Sequence, residues 1–278
     1  NIGEWGDAHT NGQTSFFSYR KVPSQASVGG WWVDLSMAAG NPSPNYYAST
    51  PLTAAVLDGN KGLFAGSAVA PAKKYLSRMT MQTPNPALVG QYILLDYLLY
   101  YPFVDGDEAG TQEMDNTVTL PRWTDGAGVQ AMFVCVAPSV GGGTFTFDYV
   151  NQDGVTKTSP LHSYTTTGAG ITSLLTSQFA TAAGYGPFLR LSGGDTGIRS
   201  IVSLSNVALN GGLGTIVLVK PIADLAIREA NNPTEFVFLE EHPLGAQIVD
   251  GAYLNLIVNC GASVAAAILQ GFGQFVWG

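Results

Sequence analysis

The chain has 278 residues with 20 acidic and 12 basic side chains, and a net charge of −8 excludes a surface built to neutralise nucleic-acid phosphates. Hydrophobic residues make up 46% and charged residues 12%, which excludes global disorder, since a disordered chain needs low hydrophobicity and high charge. The 34 glycines and 15 prolines point to many turns rather than long helices.

Residues 1–85 contain Asn11-Gly12, Gly29-Gly30, Pro42, Pro44, Pro51 and Pro71, and no sustained period of 2 or 3.6. Their apolar residues come in small clusters: Phe16-Phe17, Trp31-Trp32-Val33, Tyr46-Tyr47 and Leu63-Phe64. The aromatic content is too high for a solvated linker. The segment is expected to be an extended, irregular arm that docks its aromatic clusters on its own body or a neighbouring subunit. Within it, Thr50–Ala70 is read as a short helix or a turn-laden excursion. Deleting residues 1–80 should then leave the remaining body folded.

From residue 86 the pattern changes to strands and turns. Gln91–Tyr101 is an apolar run ended by Pro102, Thr117–Leu120 alternates and stops at Pro121, and Val129–Ala137 runs to Pro138. Thr144–Val150 places Phe145, Phe147 and Tyr149 on one face, and Asp153-Gly154 supplies the positive-φ residue of a tight hairpin before Val155–Ser159 returns. Further strands are expected at Phe188–Leu191, Ile198–Leu209, Gly214–Lys220 (ended by Pro221), Glu235–Leu239, Ala252–Asn259 and Ala265–Trp277. Helical exceptions are expected at Ile171–Phe179 and Ala223–Ala230. Strands at this spacing, without intervening amphipathic helices, predict a mainly β chain. The expected architecture is a two-sheet antiparallel sandwich of jelly-roll type over residues 86–278, with the N-terminal arm attached.

The residues that carry chemistry are sparse. His9, His162 and His242 share no metal-binding spacing. Cys135 and Cys260 lie in apolar runs and read as two buried thiols or one disulfide between strands. No nucleophile elbow, phosphate loop or zinc-protease helix motif is present, and the glycine runs at 141–143 and 193–194 are turn glycines. The acidic group Asp105-Gly106-Asp107-Glu108, with Glu113 and Asp115, reads as a solvated loop, a cation site or a carboxylate pair for hydrolysis. Asp125 belongs to a turn. In the adjacent pairs Trp31-Trp32, Tyr46-Tyr47 and Tyr100-Tyr101, extended backbone sends one ring inward and one outward. No catalytic, cofactor-binding or metal-binding residue is assigned, and no cofactor is expected.

So few charges leave an exterior below the roughly 25–35% charged surface of a free soluble domain. Burial of that exterior against copies of the chain or a partner is one explanation, and a low-charge extracellular domain is the other. No run approaches the ~18 consecutive apolar residues of a membrane-spanning helix. Asn1–Trp5 has neither a basic nor an apolar leader region, so no signal peptide is expected.

The stretches Met81–Ala87, Gln91–Asp105, Met114–Arg122 and Gly143–Asn151 resemble virion structural proteins of tailed bacteriophages, with a similarity that is weaker before residue 80. The resemblance lies in phrases and style and carries no functional residues. It implies a head component, either a decoration protein or a shell-associated one. The sustained helical period of a major shell protein's spine helix is absent. The function expected is therefore non-enzymatic: a capsid decoration or cement protein, assembled as a trimer, bound to the major capsid protein on the head surface. It would be made in the host cytoplasm and bind neither nucleic acid nor membrane. The alternative is a receptor- or glycan-binding module of a tail or head fibre.

Overall fold

The computed structural model describes residues 2–138, 141–164, 170–175, 186–208, 211–238 and 246–278. They form a helix, α1 (Ile2–Thr10), and the strands β1 (Thr14–Val22), β2 (Trp32–Asp34), β3 (Ala39–Asn41), β4 (Ala55–Val56), β5 (Lys74–Gln82), β6 (Gly90–Asp105), β7 (Thr111–Glu113), β8 (Gln130–Ala137), β9 (Gly143–Asn151), β10 (Thr156–Thr158), β11 (His162–Tyr164), β12 (Ile198–Ala208), β13 (Leu213–Ile227), β14 (Thr234–Val237), β15 (Ala246–Ile248), β16 (Leu254–Cys260) and β17 (Leu269–Trp277). The chain is mainly β, and its antiparallel sheets pack in a sandwich-like arrangement, as the strand pattern predicts.

Three sheets are present rather than two. Sheet I has the order β14-β5-β17-β1-β3 with β15 beside β5, sheet II β2-β16-β6-β13-β8 with β4 beside β6, and sheet III β10-β9-β12-β7 with β11 beside β9. Sheet II is shared. On β6, Tyr92 and Leu94 enter a core with Phe17, Met79 and Phe275 of sheet I. Further along the same strand, Leu98 and Tyr101 enter a second core with Phe145, Phe147 and Ile201 of sheet III. Side chains alternate along a strand, so Leu95, Tyr97 and Tyr100 leave by the opposite face. There they join a third core covered by Met37, Tyr47, Leu57 and Leu174.

The long strands of sheet II pass through prolines instead of ending at them. Tyr101 pairs with Ile216 and Val104 with Gly214, so Pro102 and Phe103 together oppose the single Thr215. Pro221 and Ala223 pair with Leu95 and Leu94, which leaves Ile222 as an extra residue. Proline cannot donate to a ladder, so bulges and edges are where a strand tolerates it. The same rule accounts for the extension of β13 to Ile227, where a helix was expected over 223–230.

Residues 1–85 do not form an irregular arm. β1 lies inside sheet I, paired with β17 from Thr14↔Val276 to Lys21↔Leu269, and β5 pairs with β17 on its other side. β2 pairs with β16, and β4 with β6. Removing residues 1–80 would therefore strip strands from sheets I and II rather than leave an intact body. The alternation of β1 and β5 is masked because each carries a lysine at a buried position. Lys21 donates to the carbonyls of Ala38 (2.8 Å) and Pro42 (2.9 Å), and Lys74 to that of Ala65 (2.8 Å) and to Asp250 Oδ1 (3.1 Å). Burial lowers the Lys21 ammonium to about 8, opposed by the charge of Asp34.

Local differences are smaller. Thr50–Ala70 is a turn-laden excursion with a short 3₁₀ turn at Gly59–Lys61. Thr117–Leu120 and Phe188–Leu191 run without strand pairing, although Leu189 N–H donates to the Ala131 carbonyl. Of the helix expected at 171–179, residues 176–179 lie outside the described residues. Ser173 and Leu174 instead make bridges to Val33 and Val134. The hairpin at Asp153-Gly154 forms as expected, with Gly154 at φ 78° and its N–H on the Asn151 carbonyl.

Asp96 occupies the position on β6 between the two sandwich cores. Along one edge, β6 pairs with β16 up to Asp96 and with β4 at Leu99 and Tyr100. Leu98 between them is an extra residue, since Tyr97 and Leu99 pair with the consecutive Val219 and Leu218. The buried Arg122 guanidinium fills this seam. It binds Asp96 through Nε (3.0 Å) and Nη2 (2.7 Å), and donates to the carbonyls of Tyr97 (2.9 Å) and Leu57 (3.2 Å). Trp123 Nε1 and the Tyr253 N–H also donate to Asp96. Burial pushes the Asp96 carboxyl upward, and Arg122 opposes that shift. Removing one partner of such a pair leaves an uncompensated buried charge. Arg122→Ala is therefore expected to cost about 3–5 kcal/mol in urea unfolding, while Asp96→Leu/Arg122→Met loses much less because no lone charge remains.

Candidate functional site

The outer face of sheet I is the candidate. In β1, Phe17, Tyr19 and Lys21 point inward, and Phe16, Ser18 and Arg20 outward. Register extends these into cross-strand rows. Phe16 lies opposite Gln274, which lies opposite Arg78; Ser18 lies opposite Phe272, then Thr80, then Glu235. A third row holds Arg20, Gln270 and Gln82.

The inner side explains the local sequence Gln270-Gly-Phe-Gly-Gln274. A Cβ at Gly273 would meet the Phe17 ring at 2.3 Å, and one at Gly271 would meet the Thr80 carbonyl oxygen at 2.0 Å and Tyr19 Oη at 2.7 Å. The alternate glycines thus make room for the rings of Phe17 and Tyr19 below, while Phe272 stands on the outside. Phe17 stacks on Phe275 with centroids 4.8 Å apart, which fixes the floor of the face.

On the outer side, Arg78 lies between two exposed rings. Its guanidinium carbon is 5.4 Å from the Phe272 centroid and 6.0 Å from that of Phe16, and Nη1 reaches Glu235 Oε1 at 3.3 Å. Each such contact at an exposed site is worth only about 0.5–1 kcal/mol, so the arrangement adds little to stability. Its effect is positional: an arginine and two aromatic rings, side-chain types enriched at protein interfaces, are held on a rigid sheet. Beside Phe272 a hollow of about 430 Å³ is lined by Ser18, Arg20, Thr80, Gln82 and Gln270.

The other candidate residues lie elsewhere and are not brought together. Asp105 closes β6, and its carboxylate accepts from the Asp107 N–H (2.8 Å). The loop is stitched by Gln112 to the Asp105 backbone, and by Asn206 to the carbonyls of Asp105 and Glu108. Glu113 points away from it on β7, and Asp115 pairs through its backbone with Leu52 and Ala54. Among the described residues no group of three or more His, Cys, Asp or Glu is placed to hold a metal ion. The Asp125 carboxylate accepts from the Ala127 N–H, as turn chemistry predicts.

Cys135 and Cys260 are buried in different cores and are not joined in a disulfide, which resolves the choice left open by the sequence. His9 is exposed in the last turn of α1, and His242 lies outside the described residues. His162 is a core residue. It stacks on Phe145 at 5.2 Å, and Nε2 accepts from the Arg190 N–H at 2.9 Å. Of Trp31-Trp32, Tyr46-Tyr47 and Tyr100-Tyr101, the second alone has one ring out, with Tyr46 60% exposed and Tyr47 buried. Trp31-Trp32 and Tyr100-Tyr101 point to opposite sides, but each side of sheet II has its own core.

A second buried polar cluster, around Asp34, is not marked by any motif in the sequence. Asp34 is buried and accepts four hydrogen bonds, from the Ser36 N–H (2.9 Å) and hydroxyl (2.5 Å), Tyr47 (2.6 Å) and Tyr97 (2.7 Å). Burial and the Asp34 charge push both tyrosine hydroxyls upward. The cluster clips the segment after β2 onto sheet II. The available signal was a lone carboxylate inside Trp31-Trp32-Val33-Asp34-Leu35. A buried charge has to find donors.

No protein-family model matches the chain, and no curated protein matches it. Among solved structures, a point mutant of the VP2 protein of infectious bursal disease virus aligns at 10% identity over 95% of this chain and 77% of that one, with a TM-score of 0.14. A VP2 subviral particle of the same virus aligns at 9% identity over 95% and 80%, also at 0.14. At that score neither likeness carries an argument. Among the described residues no helix is long and apolar enough to cross a membrane.

His162 yields a pH prediction. Burial, with the Arg190 charge adding to it, lowers its imidazole to about 4. The unfolded chain protonates near ~6.5, so the unfolded state binds the extra proton between those values. The His162 contribution is therefore complete above that upper limit and is lost as pH falls through the lower one. His162→Gln should show a smaller drop in urea midpoint between neutral and acid pH than the wild type; an identical drop would count against the assignment.

Proposed function

We propose that the chain is a structural component of a virus particle. In its finer form it is a decoration or cement protein of a tailed-phage head that binds the assembled shell through the outer face of sheet I. The observation that carries this reading is the Phe16–Arg78–Phe272 platform: interface-type side chains exposed on a sheet whose position is fixed from beneath. The 12% charged composition and the phrases resembling phage virion proteins support it.

The mechanism is mass action without catalysis. A subunit that binds only the assembled lattice stabilises it by the free energy of binding, and copies of the chain and the major capsid protein are its partners. Truncating central arginine and aromatic residues of an interface commonly costs 2 kcal/mol or more each, or roughly thirtyfold in affinity. Arg78→Ala/Phe272→Ala should therefore weaken co-sedimentation with purified shells by at least that factor and abolish the gain in shell melting temperature. A wild-type chain that leaves shells unbound, or a double variant that binds equally well, would overturn the reading. Glycan-array binding lost in the same variant would support a receptor-binding module instead, because the hollow pairs an aromatic ring with amide and hydroxyl groups.

A further inference from the structure

We propose that a second copy of this chain pairs antiparallel, edge to edge, with the open half of β1, joining the two sheets I across a two-fold axis. The pairing gives self-association a specific surface, and it is a property of the free chain whatever the outer face binds.

β1 pairs with β17 along Thr14–Lys21, but β3 covers its other edge only at Arg20–Val22. The Asn41 side chain donates to the Ser18 carbonyl at 2.7 Å, which places the Ser18 backbone groups on the β3 side. Backbone groups alternate along a strand, so those of Phe16 and Thr14 point the same way. Among the described residues no backbone hydrogen bond from another segment meets them there.

Natural proteins guard such edges with charge, proline, a bulge or a cover. Three other edges follow that rule. The free side of β8 is covered by residues 172–174 and 189, through bonds such as Cys135 N–H to the Ser173 carbonyl and Leu189 N–H to the Ala131 carbonyl. β10 is three residues long with Lys157 at its centre, and β7 is three residues ending in Glu113. Thr14-Ser-Phe-Phe-Ser-Tyr19 has no charge, no proline and an unbroken register with β17, and its cover is confined to the Asn41 side chain at Ser18. Charge begins at Arg20, where β3 takes over.

The open edge is complementary to itself. With Phe16 opposite Phe16 of the second copy, Thr14 faces Ser18 and Ser18 faces Thr14. The outward N–H and C=O groups of the two Phe16 residues then exchange bonds, the Thr14 carbonyl accepts from the Ser18 N–H, and the Ser18 carbonyl, which already accepts from Asn41, takes the Thr14 N–H on its second lone pair; no like charges meet. Phe16 is 54% exposed in the single chain, so the pairing covers an apolar ring at the two-fold axis. The outer faces of the two sheets become continuous, which sets the two Arg78 platforms side by side. This is a two-fold association, in place of the trimer expected from the sequence.

Sedimentation velocity of the full chain should show a concentration-dependent monomer–dimer equilibrium. Phe16→Lys places like charges opposite each other and should weaken the dimer at least tenfold, with an unchanged circular dichroism spectrum. Phe64→Lys, at an aromatic that is 57% exposed elsewhere, should leave it unchanged. Phe16→Cys should form a covalent dimer on mild oxidation, since the Cα atoms of a directly opposed hydrogen-bonded pair lie ~5.5 Å apart, within the Cα separation that a disulfide bridges. A wild type that stays monomeric, an oligomer indifferent to Phe16→Lys, equal loss in Phe64→Lys, or no cross-link through Phe16→Cys would each overturn the pairing.

Discussion

The buried contact between Asp96 and Arg122 holds the place where one strand serves two sandwiches. β6 must leave the core it shares with sheet I, enter the one it shares with sheet III, and change its edge partner from β16 to β4 on the way. That change leaves the Tyr97 carbonyl without a neighbouring strand. Arg122 supplies a donor there and is itself held by a carboxylate one residue away. An apolar filler could neutralise the charge, but it could not satisfy the backbone. The pair therefore fixes how the two halves meet, whatever it adds to net stability.

Covering sheet II on both faces also explains where sequence patterns inform and where they mislead. The β9–β10 hairpin was legible because alternation, turn and return strand lie within a short segment and one face is buried. β6 reads as one apolar run because both faces are buried, so pairs such as Tyr100-Tyr101 do not mark a surface. Proline reads as a terminator in the sequence, although a bulge absorbs it at Pro102 and Pro221. β1 and β5 were hidden by Lys21 and Lys74, whose inward ammonium groups break the apolar alternation while finding carbonyl acceptors. The aromatic excess of the first 85 residues was visible; that β1 pairs with a strand about 250 positions away was not.

The same segment dominates the exposed apolar surface. Trp5, Phe16, Val28, Tyr46, Val56 and Phe64 all come from it, against Val155, Leu161 and Phe272 from the rest of the described chain. Of the candidate face, Gln270-Gly-Phe-Gly-Gln274 was readable as an alternation of glycine with larger side chains. The neighbours that turn it into a platform, Phe16 and Arg78, come from two other strands and are placed by register alone. Face and edge meet at Phe16, which contributes its ring to one and its backbone to the other.

The adjacency of β1 and β17 has a consequence for how the protein is made. The first strand of sheet I waits for a neighbour that is synthesised about 250 positions later, so the middle of the sheet cannot close until β17 has been made. Until then β1 and β5 lack the strand that lies between them, and the rings of Phe17 and Tyr19 have no glycine-floored seat. Closing so distant a pairing is slow. Sheet I is therefore completed late, and a chain interrupted before β17 carries that sheet split in two.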